Sequence, residues 1–147
     1  MQNFSLLKEV GKTNKPVLLK RGFCNTLDEL LLSAEYITDA GNERVVLCER
    51  GIRTFESANR FTLDLGGALR LKELTRFPVI IDPSHASGRV ELVEPLSLAS
   101  AAIGADGVEV ETHCKPQDAL CDGAQAIQPE TFAEIVKKSE KIRRIVK

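Results

Sequence analysis

The sequence predicts a parallel α/β fold assembled from repeated strand–loop–helix units, and three observations predict it. Four short apolar runs recur along the chain: Pro16–Leu19, Val45–Cys48, Pro78–Ile81 and Gly107–Val110. Each run leads into a polar cluster, and each cluster into a segment with helical periodicity. The runs follow one another at about thirty-residue intervals, the length of one βαβ unit. No long linker or low-complexity tract breaks the series, so residues 1–147 read as a single domain.

The runs are rich in Val, Ile and Leu and short enough to be strands buried in a parallel sheet. Between the first two lies the best-signalled helix. Thr26 and Glu29 have the spacing of a capping box, in which hydroxyl and carboxylate each satisfy a free backbone donor. Leu27, Leu30, Leu31, Ala34 and Ile37 then recur on one face, and Gly41 supplies the left-handed stop. A second helix is expected from near Glu56 to Leu74, weakened at Gly66-Gly67. A third runs from Val90 to about Ile103 and ends at Gly104. Pro129 suits the first turn of a last helix, with Phe132, Ile135, Val136 and Ile142 as its apolar stripe.

Composition removes several function classes. A formal net charge of −1 supplies no field for nucleic acid or an anionic membrane surface. No apolar run approaches the roughly 20 residues that span a bilayer. The start Met1–Ser5 lacks the basic and apolar regions of a secretory signal, which points to the cytoplasm. Cys24, Cys48, Cys114 and Cys121 form no CxxC pair, so neither a disulfide framework nor a zinc ribbon is expected. Cys24 and Cys48 read as small packing residues.

The polar clusters all follow strands, and in a (β/α)₈ barrel that end carries the chemistry. They offer Lys20, Arg21, Arg50 and Arg53 as cations. They also offer His85, Glu111, His113 and Asp122 as metal-ligating types, with Asp82 and Glu49 close by. Cations beside a His/Glu/Asp set suit a phosphorylated anion held next to a divalent metal. Taken singly each residue has a plainer role, as a solvated strand end, a loop hydrogen-bonder or, for Asp122-Gly123, a turn. Four strands and this rim fit either a small open α/β domain or half of an eight-stranded barrel.

Pro16–Gly22, Leu47–Glu56, Asp82–Arg89, Gly104–Gly107, Glu111–His113 and Ala119–Gly123 resemble motifs of the DAHP (3-deoxy-7-phosphoheptulonate) and KDO-8-phosphate synthase superfamily. The likeness covers nearly the whole chain, in order. Gly51–Glu56 after Glu49-Arg50 resembles the DAHP branch of the short Iβ type. The resemblance implies a TIM (β/α)₈ barrel of which this chain supplies four βα units, strands five to eight. It implies an aldol-like condensation of phosphoenolpyruvate with erythrose 4-phosphate, opening the shikimate pathway to aromatic amino acids. Lys20 matches the lysine that touches phosphoenolpyruvate, and Arg50 the arginine on its phosphate. Arg53 matches a contact to the second phosphate. His85, Glu111 and Asp122 match three of four ligands to a divalent ion such as Mn²⁺, Fe²⁺ or Zn²⁺, which gives Lys20 and His85 catalytic roles.

Three departures accompany the likeness. The family's cysteine ligand and its Lys-Pro-Arg-Thr-Ser loop belong to earlier strands, so Met1 reads as an internal residue of a longer protein. The expected partners are thus the two substrates and either a second copy or an N-terminal half, since half a barrel has open edges and an exposed apolar face. Glu109 shares a strand face with Glu111 and points to the barrel interior, where an apolar side chain is expected and an unpaired carboxylate is costly. Cys121 stands beside Asp122, where it could substitute as a thiolate. The alternatives to a synthase are an inactive phosphate-binding or regulatory domain, and the KDO-8-phosphate branch.

Overall fold

The computed structural model describes residues 1–146. Strands β1 (Val17–Lys20), β2 (Val45–Glu49), β3 (Val79–Ile81) and β4 (Gly107–Val108) form one parallel sheet in the order β1-β2-β3-β4. Neighbours in space are neighbours in sequence, with no reversal of order. That is the progression of a barrel wall and not of a doubly wound sheet, whose strand order reverses at a switch point.

Helices α1 (Phe4–Gly11), α2 (Leu27–Asp39), α3 (Leu65–Leu74), α4 (Pro83–Ser87), α5 (Val90–Ala102) and α6 (Pro129–Ile145) complete the chain. The pleat sends Leu19, Val45, Leu47, Val79 and Ile81 into one core with Leu30, Ala34, Ile37, Ala68 and Leu71 of the helices. Leu18, Val46 and Ile80 face the other way and keep partial exposure, 43% for Leu18. This face is the inner wall expected of half a barrel. Val93, Ile127 and Ile135 make a smaller second cluster, against which Val110 packs.

The capping box of α2 is present in both directions, and Gly41 follows the helix at φ +106°. Helices α5 and α6 begin and end close to expectation, with Pro129 in the first turn of α6. The apolar stripe of α6 is thinner than its spacing suggests. Ile135 is buried, whereas Phe132 and Val136 are 40% and 41% exposed.

Two boundaries require correction. The helix expected from Glu56 starts only at Leu65, because Asp64 caps it through a 2.7 Å bond from the Gly67 N–H. Gly66-Gly67 is therefore a first turn and not an interruption; a Cβ at Gly67 would meet Asp64 Oδ2 at 2.2 Å. Residues 52–62 instead form a loop closed by the antiparallel Ile52–Thr62 bridge. Strand β4 stops at Val108, although the Glu109 N–H still donates to the Ile81 carbonyl at 2.8 Å.

Two helices carry no expectation from periodicity. Helix α1 is capped by Asn3 and packs on α2, where a Cβ at Gly11 would lie 2.6 Å from Ala40 Cβ. Helix α4 is a single capped turn inside the Asp82–His85 cluster. No helix among the described residues is long and apolar enough to cross a membrane.

Candidate active site at the strand ends

The C-terminal ends of β1 to β4 bring charged side chains together in two linked groups. The first starts from Lys20, the last residue of β1. Its Nζ donates to Asp82 Oδ2 at 2.6 Å and to Glu109 Oε1 at 3.2 Å. Burial alone would lower the lysine pKa, but the bonds and charges of Asp82 and Glu109 outweigh it and hold the ammonium above its usual range. Glu109 is thus paired, contrary to the unpaired carboxylate its sequence position suggested. Cys48 is buried beside it, with Sγ 3.8 Å from Glu109 Oε2. Burial, with Asp82 and Glu109 nearby, pushes the thiol well up, so Cys48 stays protonated.

Asp82 links the two groups. It caps α4 through Oδ1, which accepts from the His85 N–H at 3.0 Å. Its Oδ2 lies 2.8 Å from His85 Nδ1. Placing the ring proton on Nδ1 satisfies that contact and leaves the Nε2 lone pair free. Nε2 lies 3.7 Å from both Glu111 Oε2 and Asp122 Oδ2.

Each partner is positioned by its own backbone. The Glu111 N–H donates to Ser84 Oγ at 3.0 Å, and its carbonyl accepts from Ile127 at 2.9 Å. Asp122 adopts φ +54°, a left-handed conformation that Asp tolerates better than most residues, and Gln125 Nε2 donates to its Oδ1. One donor atom each from His85, Glu111 and Asp122 lies within 4.8 Å of the others. Ligands sharing a divalent ion at about 2.1 Å sit roughly 3 to 3.6 Å apart, so an imidazole and two carboxylates at this spacing fit such an ion.

Arg50 closes the site on the β2 side. Its guanidinium lies 4.6 Å from the Phe23 ring centre and 4.8 Å from that of Phe61, and the two rings stack at 4.7 Å. Only 8% of the residue is exposed, and Nη1 is buried with no hydrogen-bond partner among the described residues. Burial and the nearby Arg60 charge lower its affinity for the proton, with Asp82 opposing them. A buried cation with an unused donor is suited to an oxyanion. Gly51 allows the close packing here: at φ +88°, a Cβ would meet Phe61 Cβ at 2.7 Å.

Of the residues expected at the site, Lys20, His85, Glu111 and Asp122 converge. Arg53 sits in an exposed part of the 52–62 loop, tied through its backbone N–H to the Phe23 carbonyl at 2.7 Å. Arg21 has another role: Nη1 bonds Glu49 and Asp64, each at 2.9 Å, inside the wall. His113 is half-buried, its Nδ1 accepting from the Lys115 N–H at 3.0 Å, and Cys121 is exposed. Phe23, Phe61 and the bridging role of Asp82 were missed; an Asp three residues before His85 and directly before Pro83 was the available signal for the last.

A parallel wall that carries a buried arginine and a His/Glu/Asp cluster on its C-terminal rim defines a protein of the (β/α)₈ class. The comparisons with known proteins place it further. The chain belongs to the DAHP synthetase I family, whose model matches residues 1–145. It is 52% identical over 141 residues to the phospho-2-dehydro-3-deoxyheptonate aldolase of Thermotoga maritima, covering 96% of this chain and 42% of that protein. A 2-dehydro-3-deoxyphosphooctonate aldolase of Geobacter sulfurreducens is 35% identical, over 97% of this chain and 55% of that one. A truncated 3-deoxy-D-arabino-heptulosonate 7-phosphate synthase from Thermotoga maritima superposes with a TM-score of 0.95 at 51% identity, over 99% of this chain and 55% of that chain. The chain spans about half the length of the curated relatives it matches.

Proposed function

We propose that this chain carries the phosphoenolpyruvate and metal subsites of a 3-deoxy-7-phosphoheptulonate synthase. The reaction joins phosphoenolpyruvate to erythrose 4-phosphate in an aldol-like condensation that releases inorganic phosphate. The observation that carries the reading is the bonded series Lys20–Asp82–His85, with Glu111 and Asp122 beyond it and the unpaired Arg50 donor beside it. The higher identity to the heptonate enzyme favours that branch over the octonate one.

In this reading Arg50 grips the phosphate of phosphoenolpyruvate, and the rings of Phe23 and Phe61 hold its guanidinium in place. Lys20 gives a point charge to the substrate carboxylate. Arg53, on its exposed loop, reaches for the phosphate of the second substrate. His85, Glu111 and Asp122 hold a divalent ion, with Mn²⁺, Fe²⁺ and Zn²⁺ as candidates. When bound, that ion supplies Lewis-acid polarisation of an aldehyde oxygen or orients a water. Asp82 keeps the His85 ring in one tautomer and one orientation.

Two measurements test the reading. Calorimetric titration with Mn²⁺ should show binding by the chain and a loss of at least about 100-fold in His85→Ala. Phosphate release from phosphoenolpyruvate with erythrose 4-phosphate and Mn²⁺ should appear when a polypeptide carrying the first four strands of the Thermotoga enzyme is added. Mn²⁺ binding that survives His85→Ala unchanged would overturn the assignment.

A further inference from the structure

We propose that Glu109 sets the affinity of Lys20 for its anionic ligand, acting as a built-in counter-ion that a substrate carboxylate must displace. The inference rests on the reading of Lys20 as the phosphoenolpyruvate contact. A barrel strand at this level normally turns an apolar side chain inward. Glu109 instead presents both carboxylate oxygens to the inner wall: Oε1 to Lys20 Nζ at 3.2 Å, and Oε2 to Cys48 Sγ at 3.8 Å.

Charge decides what this does. Asp82 already neutralises Lys20 at 2.6 Å, and its side chain is fully buried and also bonded to His85. Glu109 adds a second negative charge to the same ammonium, so Lys20, Asp82 and Glu109 together carry a net negative charge before any ligand arrives. An incoming carboxylate is repelled there and must take one place on Nζ. Glu109 is the partner that yields, because its bond is the longer and its side chain is 36% exposed. Asp82 cannot leave without releasing His85. Glu109 therefore aligns Lys20 in the absence of an anion and lowers the site's affinity for one.

Calorimetric titration of the full chain with phosphoenolpyruvate, and separately with inorganic phosphate, tests this in the wild type, Glu109→Gln, Glu109→Ile and Lys20→Met. Glu109→Gln is expected to bind phosphoenolpyruvate about tenfold more tightly than the wild type. Its affinity for inorganic phosphate, which has no carboxylate, should change by less than about twofold. Glu109→Ile should show the same gain if charge is the cause, and it serves as the reading should the glutamine variant fail to fold. The gain should vanish when Lys20→Met is combined with either. Equal or weaker phosphoenolpyruvate binding in both Glu109 variants, while Lys20→Met weakens it, would overturn the role given to Glu109. Unchanged binding in Lys20→Met would instead overturn the reading of Lys20 itself.

Discussion

At the N-terminal ends of the strands, polar side chains are spent on backbone. Asn42 Nδ2 donates to the Lys15 carbonyl at 2.8 Å while its Oδ1 accepts from the Arg44 N–H at 3.0 Å. Asp106 accepts from the Val79 N–H at 2.8 Å and from Lys72 Nζ at 2.6 Å. At the C-terminal ends, charges meet charges: Arg21 with Glu49 and Asp64, and Lys20 with Asp82 and Glu109. One end closes its hydrogen bonds mostly on backbone groups of the neighbouring strand or loop. The other gathers ionised groups from separate strands and leaves an arginine donor open. Backbone-directed contacts thus gather at one end of the four strands, and ion pairs with an open donor at the other.

Breaking the charged end should cost most. Glu49→Ala leaves the Arg21 guanidinium, 5% exposed, without its fully buried partner. A loss of about 3–5 kcal/mol of unfolding free energy is expected, read as a lower urea midpoint. Arg21→Met combined with Glu49→Leu should cost less, because no buried charge is left unpaired and Asp64, 31% exposed, stays hydrated. Equal losses in the single and double variants would mean that packing, not the ion pair, sets the cost. Next in size is Asp82→Asn, which keeps the shape of the α4 cap but removes the charge shared by Lys20 and His85. Mn²⁺ affinity should fall roughly 10- to 100-fold by calorimetry, while thermal unfolding moves little. An unchanged affinity would show that His85 needs no carboxylate to orient it.

The same division explains what could be read from the sequence. Strands, the α2 capping box and the rim motifs are local, so their residue types and spacing carry them. Lys20, His85 and Glu111 come together because they follow neighbouring parallel strands, as the strand–loop–helix pattern implied, and Asp122 joins them from a turn in the loop beyond β4. What escaped was decided across strands. Nothing local distinguishes Arg21, turned into the wall toward Glu49, from Lys20, turned to the opposite face; the pleat and two distant carboxylates do so. Glu109 looked unpaired because its partner lies 89 residues earlier in the chain. The late start of α3 had a local signal, Asp64 three residues before Gly67, which the apolar spacing around it masked.

The smallest effect belongs to the N-terminal end, and its dependence on acid makes it separable. Burial would raise the Asp106 pKa, but the bonds from Lys72 and the Val79 N–H prevail and hold it below its ordinary 3.8. A carboxylate whose pKa is depressed by folding stabilises the native state above its unfolded value and loses that contribution as pH falls through the folded one. Asp106→Asn should therefore cost about 1 kcal/mol near neutrality, since the pair is partly exposed and screened. The gap between the two proteins should narrow below about pH 4, where the wild type also gives up its charge. Urea unfolding of both from pH 7 to pH 3 measures this directly. A gap that does not narrow at all by pH 3 would show that the Asp106 charge adds nothing to the stabilisation, and the N-terminal end would then hold together without using its charges.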